Sequence, residues 1–352
     1  MSAIDHLPRA LGRPLARARL RACAEDFQVT EVLGFEPAGE GQHRLLWVEK
    51  AGLTSDQVAR ALARFAGVRP VAVGYAGLKD RHALTRQWFS VDLAGRAEPD
   101  WSRLPLPGAR VLAVHPHRRK LARGALQGNR FRITLRALRG DRDELTDRLE
   151  AVARRGVPNY FGEQRFGRGG GNLARARAWF AGGRRPRGRG ERSLLLSSAR
   201  SALFNAVLAA RVADGTWNRL LPGDAPMLDG RRATFRLAAP GAEDQARCRR
   251  LEIHPTGPLW GRGASLVSGS VAAMEARLCR RAGILAEGLE QAGLEAARRA
   301  LRVRVSGLEW AWEGPDLCLA FRLPAGAYAT AVLRELVQVE AGLRPGPGRA
   351  AT

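Results

Sequence analysis

The sequence predicts an α+β fold in which a strand-rich domain carries a large insertion. Alternating apolar and polar runs, typical of strands, recur through residues 27–136 and return after residue 301. The segment between about 156 and 300 instead mixes helical periodicity with glycine-rich turns. The chain has 352 residues, which exceeds the size at which a single core usually stops growing. Two domains, one inserted into the other, are therefore expected.

The first part of the chain reads as strands with one helix. Strands are predicted at FQVTEVLG, HRLLWVEK, VAVGYAG, RQWFSVDL, ARVLAVHPH and NRFRITLRAL. After the second run, TSDQVARALARFAG places Val58, Leu62 and Phe65 at helical spacing. Thr54 or Ser55 is the expected N-cap of this helix. In the last run apolar residues alternate with arginines, which predicts a half-buried sheet with a basic face.

Helices dominate the next part. They are predicted at DRDELTDRLEAVARRG, SLLLSSARSALFNAVLAARVADG and SVAAMEARLCRRAG. LRVRVSGLEWAW and LCLAFRLP return to strand periodicity, and AYATAVLRELVQVE follows as a helix. We therefore assign residues 1–155 and 301–342 to one domain and residues 156–300 to the inserted domain. The last residues, 343–352, are rich in glycine and proline and are predicted to be a disordered tail.

The chain is strongly basic. It has 58 lysine and arginine residues against 34 acidic ones and a formal charge of +24, and only Lys50, Lys79 and Lys120 are lysines. Such a surface attracts polyanions and binds phosphates by releasing counterions, so nucleic acid is the leading partner. Codon bias towards arginine explains part of the same composition, so charge alone leaves other functions open.

Several classes of protein lack support in the sequence. The four cysteines form no CxxC pair and no HExxH occurs, so no metal site is predicted. No lysine has a Walker A context, and no GxGxxG follows a predicted strand. No continuous apolar stretch is expected to reach the length that crosses a bilayer. A cytoplasmic protein without membrane contact is therefore expected. The tract Gly182–Arg192 fits a solvated loop and a phosphate contact equally well.

The stretch GYAGLKDRHALTRQWFSV places an acid, Asp80, between Lys79 and Arg81. It follows a predicted strand and Gly77, where a turn can present a side chain into a cleft. The flanking positive charges favour the ionised carboxylate. The spacing by itself leaves two interpretations open: a catalytic acid, or an acid in a surface ion pair at a turn.

Five stretches of the chain resemble the TruD family of tRNA pseudouridine synthases. They are RACAEDFQVTEVLGFEPAGEGQH, AGLKDRHALTRQWFS, GNRFRITLR, VPNYFGEQRFGRGGGN and LPAGAYATAVLREL, in the family's order. The resemblance implies a catalytic domain built on a mixed, mainly antiparallel sheet, with an inserted α/β TRUD domain. It also implies isomerisation of uridine to pseudouridine at position 13 of tRNA, with no cofactor. We expect a monomer that needs no protein partner.

The resemblance further implies roles for individual residues. Asp80 is the expected nucleophile. The substrate-binding positions are Phe27, Asn129, Phe131, Tyr328, Arg21 and Lys79. Aromatic rings can stack on the detached base, and an amide can pair with its polar edge. Arg21 stands where the family often has lysine and is expected to pair with Asp80, whereas Tyr328 stands where phenylalanine is frequent.

Two other functions remain to be weighed. A non-catalytic RNA-binding protein or RNA chaperone would have the same charge and the same arginine-glycine tract. A methyltransferase would need a methyl-donor site, usually a glycine-rich loop after a strand, and the sequence has none. Pseudouridine has the mass of uridine, so carbodiimide labelling of treated RNA separates isomerisation from methylation and from binding.

Overall fold

A computed structural model of the chain describes residues 6–341. The contacts of the chain divide it into two compact units. Among the described residues, the sheet unit comprises 15–141, 306–326 and 338–341, and the helical unit comprises 6–14, 142–305 and 327–337. The domain boundaries predicted near 155 and 301 stay a prediction, and the tail predicted at 343–352 lies outside the described residues.

The strands in the described residues are β1 (Arg17–Leu20), β2 (Phe27–Val32), β3 (His43–Lys50), β4 (Val73–Tyr75), β5 (Leu84–Asp92), β6 (Ala109–His117), β7 (Gly128–Arg139), β8 (Val157–Pro158), β9 (Met227–Leu228), β10 (Ile253–His254), β11 (Thr256–Leu259), β12 (Ala297–Ala300), β13 (Arg302–Val303), β14 (Ser306–Glu313), β15 (Asp316–Pro324) and β16 (Gln338–Ala341). The helices are α1 (Ser55–Phe65), α2 (Arg142–Arg155), α3 (Gly171–Phe180), α4 (Arg189–Ala213), α5 (Ala242–Arg249), α6 (Gly269–Arg281), α7 (Ile284–Gln291) and α8 (Ala329–Leu336).

The sheet unit is built on one large mixed sheet. Its main path runs β14-β15-β7-β2-β5-β3-β6, with β1 joined to β7 and β16, and β4 joined to β5. The pairs β2–β5 and β1–β16 are parallel, and the other pairs of this sheet are antiparallel. The predicted mixed, mainly antiparallel sheet and the α+β class are confirmed.

Helix α1 closes one face of this sheet. Thr54 is its N-cap: the Thr54 hydroxyl accepts a hydrogen bond from the Gln57 N–H, and the Gln57 side chain accepts from the Thr54 N–H. This reciprocal pair satisfies two amide groups that a helix start would otherwise leave open. Val58 and Leu62, predicted on the core face of the helix, are fully buried in one apolar cluster with Phe89 of β5.

The structure differs from the predicted elements at β4 and at the end of α8. The run VAVGYAG gives a strand of only three residues, β4, because Pro70–Ala72 forms a short 3-10 turn. The helix predicted over AYATAVLRELVQVE ends at Leu336, and its last residues form β16 parallel to β1. The Gln338 N–H donates to the Ala16 carbonyl at 2.8 Å, so pairing with a distant segment overrides local helical periodicity.

The helical unit surrounds α4. Along α4, residues such as Leu196, Leu203 and Val207 are buried against α3, α6 and α7. The predicted core stripe of α2, Leu145, Leu149 and Val152, is also buried. Elsewhere in this unit the Arg148 guanidinium donates to the carbonyls of Leu11, Gly12, Arg13 and Glu335. One side chain thus ties the start of the chain and α8 to α2.

Helix α4 also corrects an expectation about membranes. With 25 residues it is long and apolar enough to cross a bilayer by length and composition, whereas the sequence was expected to contain no such stretch. A buried core helix of a soluble protein passes the same test, and α4 has twelve buried residues within the helical unit. The length of α4 is therefore weak evidence for a membrane span.

Candidate active site

Asp80 lies in the loop of residues 76–83 that joins β4 to β5 in the sheet unit. Its side chain is mostly enclosed but keeps 15% of its surface exposed. Oδ2 accepts a hydrogen bond from Arg21 Nη2 at 2.6 Å, and Oδ1 accepts from the His82 N–H at 3.0 Å. The carboxylate is thus held in a defined orientation with part of its surface open, as an attacking group requires.

Arg21 makes the ion pair that the sequence predicted. It follows β1 and has a φ of 62°, a conformation that costs a residue with a Cβ about 1–3 kcal/mol. Its guanidinium carbon lies 4.2 Å from the centroid of the Phe27 ring while Nη2 binds Asp80. A cation over a ring face is attracted to the π electrons. Arg21 therefore joins two of the predicted site residues, and these contacts offset its backbone strain.

Buried polar side chains of α1 and β5 form hydrogen bonds with the backbone of the Asp80 loop. The Lys79 N–H donates to Ser55 Oγ at 2.9 Å, and Ser55 Oγ donates to Gln87 Oε1 at 2.6 Å. Gln87 Nε2 in turn donates to the Gly77 carbonyl at 3.2 Å. Ser55 and Gln87 are both fully buried. A buried hydroxyl and amide without partners would cost free energy, so these bonds fix the loop against α1 and β5.

The Lys79 ammonium binds Glu31 rather than facing solvent. Its Nζ lies 2.5 Å from Glu31 Oε2, and the two side chains are only 5% and 0% exposed. Glu31 Oε1 accepts the Trp88 N–H at 3.2 Å, which fixes the carboxylate on β2. The geometry is that of a buried ion pair next to Asp80. Direct contact of Lys79 with substrate stays a prediction.

Phe27 and Phe131 lie on neighbouring strands, β2 and β7. Their ring centroids are 6.2 Å apart in an edge arrangement, and Phe131 also stacks on Phe321 of β15 at 5.4 Å. Both predicted site rings are mostly buried. A base can therefore meet only the small part of each ring that remains open, and each ring also contributes to the core.

Asn129 is the second residue of the same strand, β7, and pairs in register with Glu31 of β2. Within the part of the chain that the structure describes, its Oδ1 is buried and has no hydrogen-bond partner. Leaving a buried acceptor unpaired costs about 1–3 kcal/mol. An N–H of a bound ligand would remove that cost, which fits the predicted role of Asn129 in pairing with a base.

Tyr328 belongs to the helical unit, where it is the N-cap of α8. Its hydroxyl accepts a hydrogen bond from Arg165 Nη2 at 2.7 Å, and Arg165 Nη1 donates to Ser197 Oγ of α4 at 2.9 Å. Its ring meets Phe161 edge to face, with centroids 6.2 Å apart. The hydroxyl that distinguishes Tyr328 from phenylalanine thus has a definite partner within this unit.

The structure brings Asp80, Arg21, Phe27 and Phe131 into one chain of contacts, with Lys79 next to the acid along the backbone. Sequence reasoning missed the buried groups that support the loop: Lys50, Ser55, Gln87 and Glu31. One signal was available for Lys50, since a chain this rich in arginine keeps lysine at only three positions. Lysine tolerates burial through a shifted pKa, whereas arginine stays charged.

The fold and the site together define a class of protein. A basic chain whose mixed sheet presents an arginine-paired aspartate beside aromatic rings and a buried amide fits an enzyme that modifies a base of RNA with a carboxylate. A family profile makes this assignment specific. The profile described as tRNA pseudouridine synthase D (TruD) matches residues 10–173 and 190–336, so the chain belongs to the TruD family. It is therefore a pseudouridine synthase, an isomerase.

Individual relatives agree with this assignment. A protein named tRNA pseudouridine synthase D from Methylococcus capsulatus is 53% identical over 337 residues, covering 96% of this chain and 95% of the relative. A protein of the same name from Nitrosococcus oceani is 52% identical, covering 93% and 92%. A crystal structure described as tRNA pseudouridine synthase D from Methanosarcina mazei has a TM-score of 0.69 at 22% identity, covering 96% and 98%. This last similarity shows the fold.

Proposed function

We propose that this chain isomerises uridine to pseudouridine at position 13 of tRNA, with Asp80 as the nucleophile and without a cofactor. The family and the names of the relatives support uridine isomerisation in tRNA. The observation that carries the finer proposal is the Asp80 carboxylate, oriented by Arg21 and by the His82 N–H while part of its surface stays open.

The reaction exchanges one bond for another within a single nucleotide. The Asp80 carboxylate attacks the uridine or assists departure of its base, and the bond between N1 of uracil and C1′ of the ribose breaks. The uracil then rotates and a bond forms between its C5 and C1′, after which the proton on C5 is lost and N1 gains a proton. Atoms and electrons balance without an oxidant or an energy carrier, so the chemistry requires no cofactor.

Neighbouring groups suit the detached base. The open parts of the Phe27 and Phe131 rings offer apolar contact to uracil while it turns. The buried Oδ1 of Asn129 accepts from an N–H on the polar edge of uracil. The substrate contact expected of Tyr328 from the family resemblance stays a prediction. The target nucleotide has to leave its stack to reach these groups.

The charge of the surface suits a tRNA substrate. The helical unit has a groove lined by Arg189, Arg192 and Arg200 with three serines and Phe161. On β7 in the sheet unit, Arg130 and Arg132 alternate with the buried residues Phe131 and Ile133. Guanidinium groups bind phosphate oxygens bidentately, and these positions can hold the RNA backbone. We further propose that the protein is a cytoplasmic monomer with no protein partner and no membrane contact.

The test of this proposal is Asp80→Asn, assayed in a single turnover with excess enzyme on tRNA. The carboxamide keeps the size and most hydrogen-bonding capacity but is not a nucleophile, so pseudouridine formation at position 13 should fall below detection while tRNA binding persists. Asp316→Asn is the matched control, because Asp316 also pairs with an arginine, Arg136, in the same unit. The control should keep its turnover. Activity of Asp80→Asn within about tenfold of the parent would refute the assignment, since a mere surface ion pair contributes only about 0–1 kcal/mol.

The competing reading is a non-catalytic RNA-binding protein. It predicts that carbodiimide labelling finds no pseudouridine in treated RNA although the RNA is bound. It also predicts that Asp80→Asn and the parent protein behave alike. Mapping pseudouridine in RNA from cells with and without the gene settles position 13 independently of the purified protein.

A further inference from the structure

Lys50, at the end of β3, has its charged group buried beneath the Asp80 loop. The residue is only 1% exposed. Its ammonium donates to the Leu53 carbonyl at 2.7 Å and to the carbonyl of Asp80 itself at 3.0 Å. One lysine therefore bonds to the backbone of the residue proposed as nucleophile and to the segment that leads into α1.

The position of Lys50 in the sheet makes this contact rigid. Lys50 pairs with Thr85 of β5 on one side and with Ala109 of β6 on the other. Val48, two residues earlier on β3, is fully buried in the apolar core, so this end of the strand is anchored. Thr85 lies at the start of the strand that leaves the Asp80 loop. Lys50 thus connects the loop to a strand that is paired on both sides.

Placing a charge here is energetically costly. Burial lowers the pKa of Lys50 to about 8, the charge of Asp80 opposes this decrease, and the neighbouring Lys79 ammonium adds to it. An apolar residue would fill the same space without the desolvation penalty of an ion. The ammonium therefore needs a reason beyond packing, and its contacts with the Asp80 loop supply one.

We propose that Lys50 is a positioning residue for the isomerisation: it fixes the backbone carbonyl of Asp80 so that the carboxylate faces the uridine. This inference rests on the proposed function of Asp80. Lys50 binds the main chain of Asp80, whereas Arg21 and the His82 N–H bind its carboxylate oxygens.

The expected size of the effect follows from the geometry of attack. Reacting groups have to be held close to the productive geometry, and a displacement of about 1 Å costs about 100-fold in rate. Without Lys50, the carbonyl of Asp80 loses its bond to the sheet, while the arginine groove and the surface arginines are untouched. Chemistry should therefore slow without a loss of RNA affinity.

The first experiment compares Lys50→Met with two controls, measuring the single-turnover rate constant, the Kd for tRNA and the urea midpoint. Lys50→Met should lower the rate constant about 100-fold and leave the Kd within about threefold. Lys120→Met removes a lysine that also donates to a backbone carbonyl, that of Val71, and should keep the parent rate. Val48→Ala destabilises the same strand without touching the loop and should keep the rate at temperatures where it is folded.

Chemical rescue provides a second readout that a purely structural role would not change. In Lys50→Ala, added methylamine or ethylamine should restore at least a tenth of the parent rate, in proportion to the protonated amine. Val48→Ala should not respond to either amine. If Lys50→Met does not fold, Lys50→Ala takes its place in the comparison of rates.

Two results would overturn the inference. One is a folded Lys50→Met or Lys50→Ala whose rate stays within threefold of the parent. The other is a Lys50→Ala variant with a low rate constant that no amine increases, together with a Val48→Ala variant of equal stability that shows the same decrease in rate. Either can occur while Asp80→Asn is inactive, so failure of the role of Lys50 is distinguishable from failure of the proposed function.

Discussion

The buried ion pair between Glu31 and Lys79 makes a sharp prediction about stability. In Glu31→Gln, the Lys79 ammonium keeps its burial and loses the opposite charge 2.5 Å away. The new amide oxygen can still accept the Trp88 N–H that Glu31 Oε1 accepts now. Breaking a buried pair by removing one partner costs about 3–5 kcal/mol. Because glutamine preserves one hydrogen bond, we expect a loss of about 3 kcal/mol.

Urea unfolding followed by circular dichroism measures this loss. Glu150→Gln is the control, because Glu150 forms an exposed pair with Arg154 on α2 and should cost about 0.3–0.5 kcal/mol. The double variant Glu31→Leu, Lys79→Met replaces the pair by apolar groups and should recover most of the stability. A loss below about 1 kcal/mol in Glu31→Gln would refute the view that this pair is desolvated.

Three further predictions concern the same molecule. Tyr328→Phe should lower stability by about 1–2 kcal/mol in urea unfolding, since Arg165 loses an acceptor, while turnover stays close to the parent. Phe131→Leu should lower the single-turnover rate constant more than the affinity for tRNA, because one stacked base contributes only about 1–3 kcal/mol to binding beside many phosphate contacts. Equal decreases in rate and affinity would place Phe131 in general RNA binding or in the core. Lys50 has a pKa of about 8 in the folded chain against 10.5 ordinarily, so between these values the unfolded state holds more protons and stability rises with pH. Urea titrations at pH 7.5 and 10.5 measure the free energy of unfolding of both proteins. Between these pH values the increase should be about 2–4 kcal/mol smaller in Lys50→Met than in the parent. An equal increase in both proteins would contradict this prediction.

Much of the site was predictable because its parts are close in sequence or carry recognisable motifs. The position of Asp80 in a loop after a short strand, and the helix capped by Thr54, follow from local patterns. The ion pair of Arg21 with Asp80 was expected from the family resemblance and is present. The roles of Phe27, Asn129 and Lys79 toward substrate stay predictions, since the geometry is compatible with them but no ligand contact tests them.

The supporting groups were not predictable because they meet only through the sheet. Lys50 and Ser55 are far from the Asp80 loop along the chain, and the pairing of β3 with β5 and the packing of α1 bring them to it. Burial then decides their chemistry: it lowers the pKa of Lys50 and makes each hydrogen bond of Ser55 and Gln87 necessary. No periodicity in the sequence reports which polar residue will be desolvated.

The sequence by itself determined the α+β class, the order of most helices and strands, the basic surface and the motifs that carry the family resemblance. These depend on composition and on spacing within short segments, which the chain expresses locally. The pairing of β16 with β1 and the packing of α8 with α2 depend on tertiary contacts. Residues 306–326, which precede α8 in the chain, belong to the sheet unit, whereas α8 belongs to the helical unit. The tertiary structure also decided that the ammonium groups of Lys50 and Lys79 are buried at the Asp80 loop. Such outcomes depend on contacts between residues far apart in sequence, where packing and desolvation outweigh local preference.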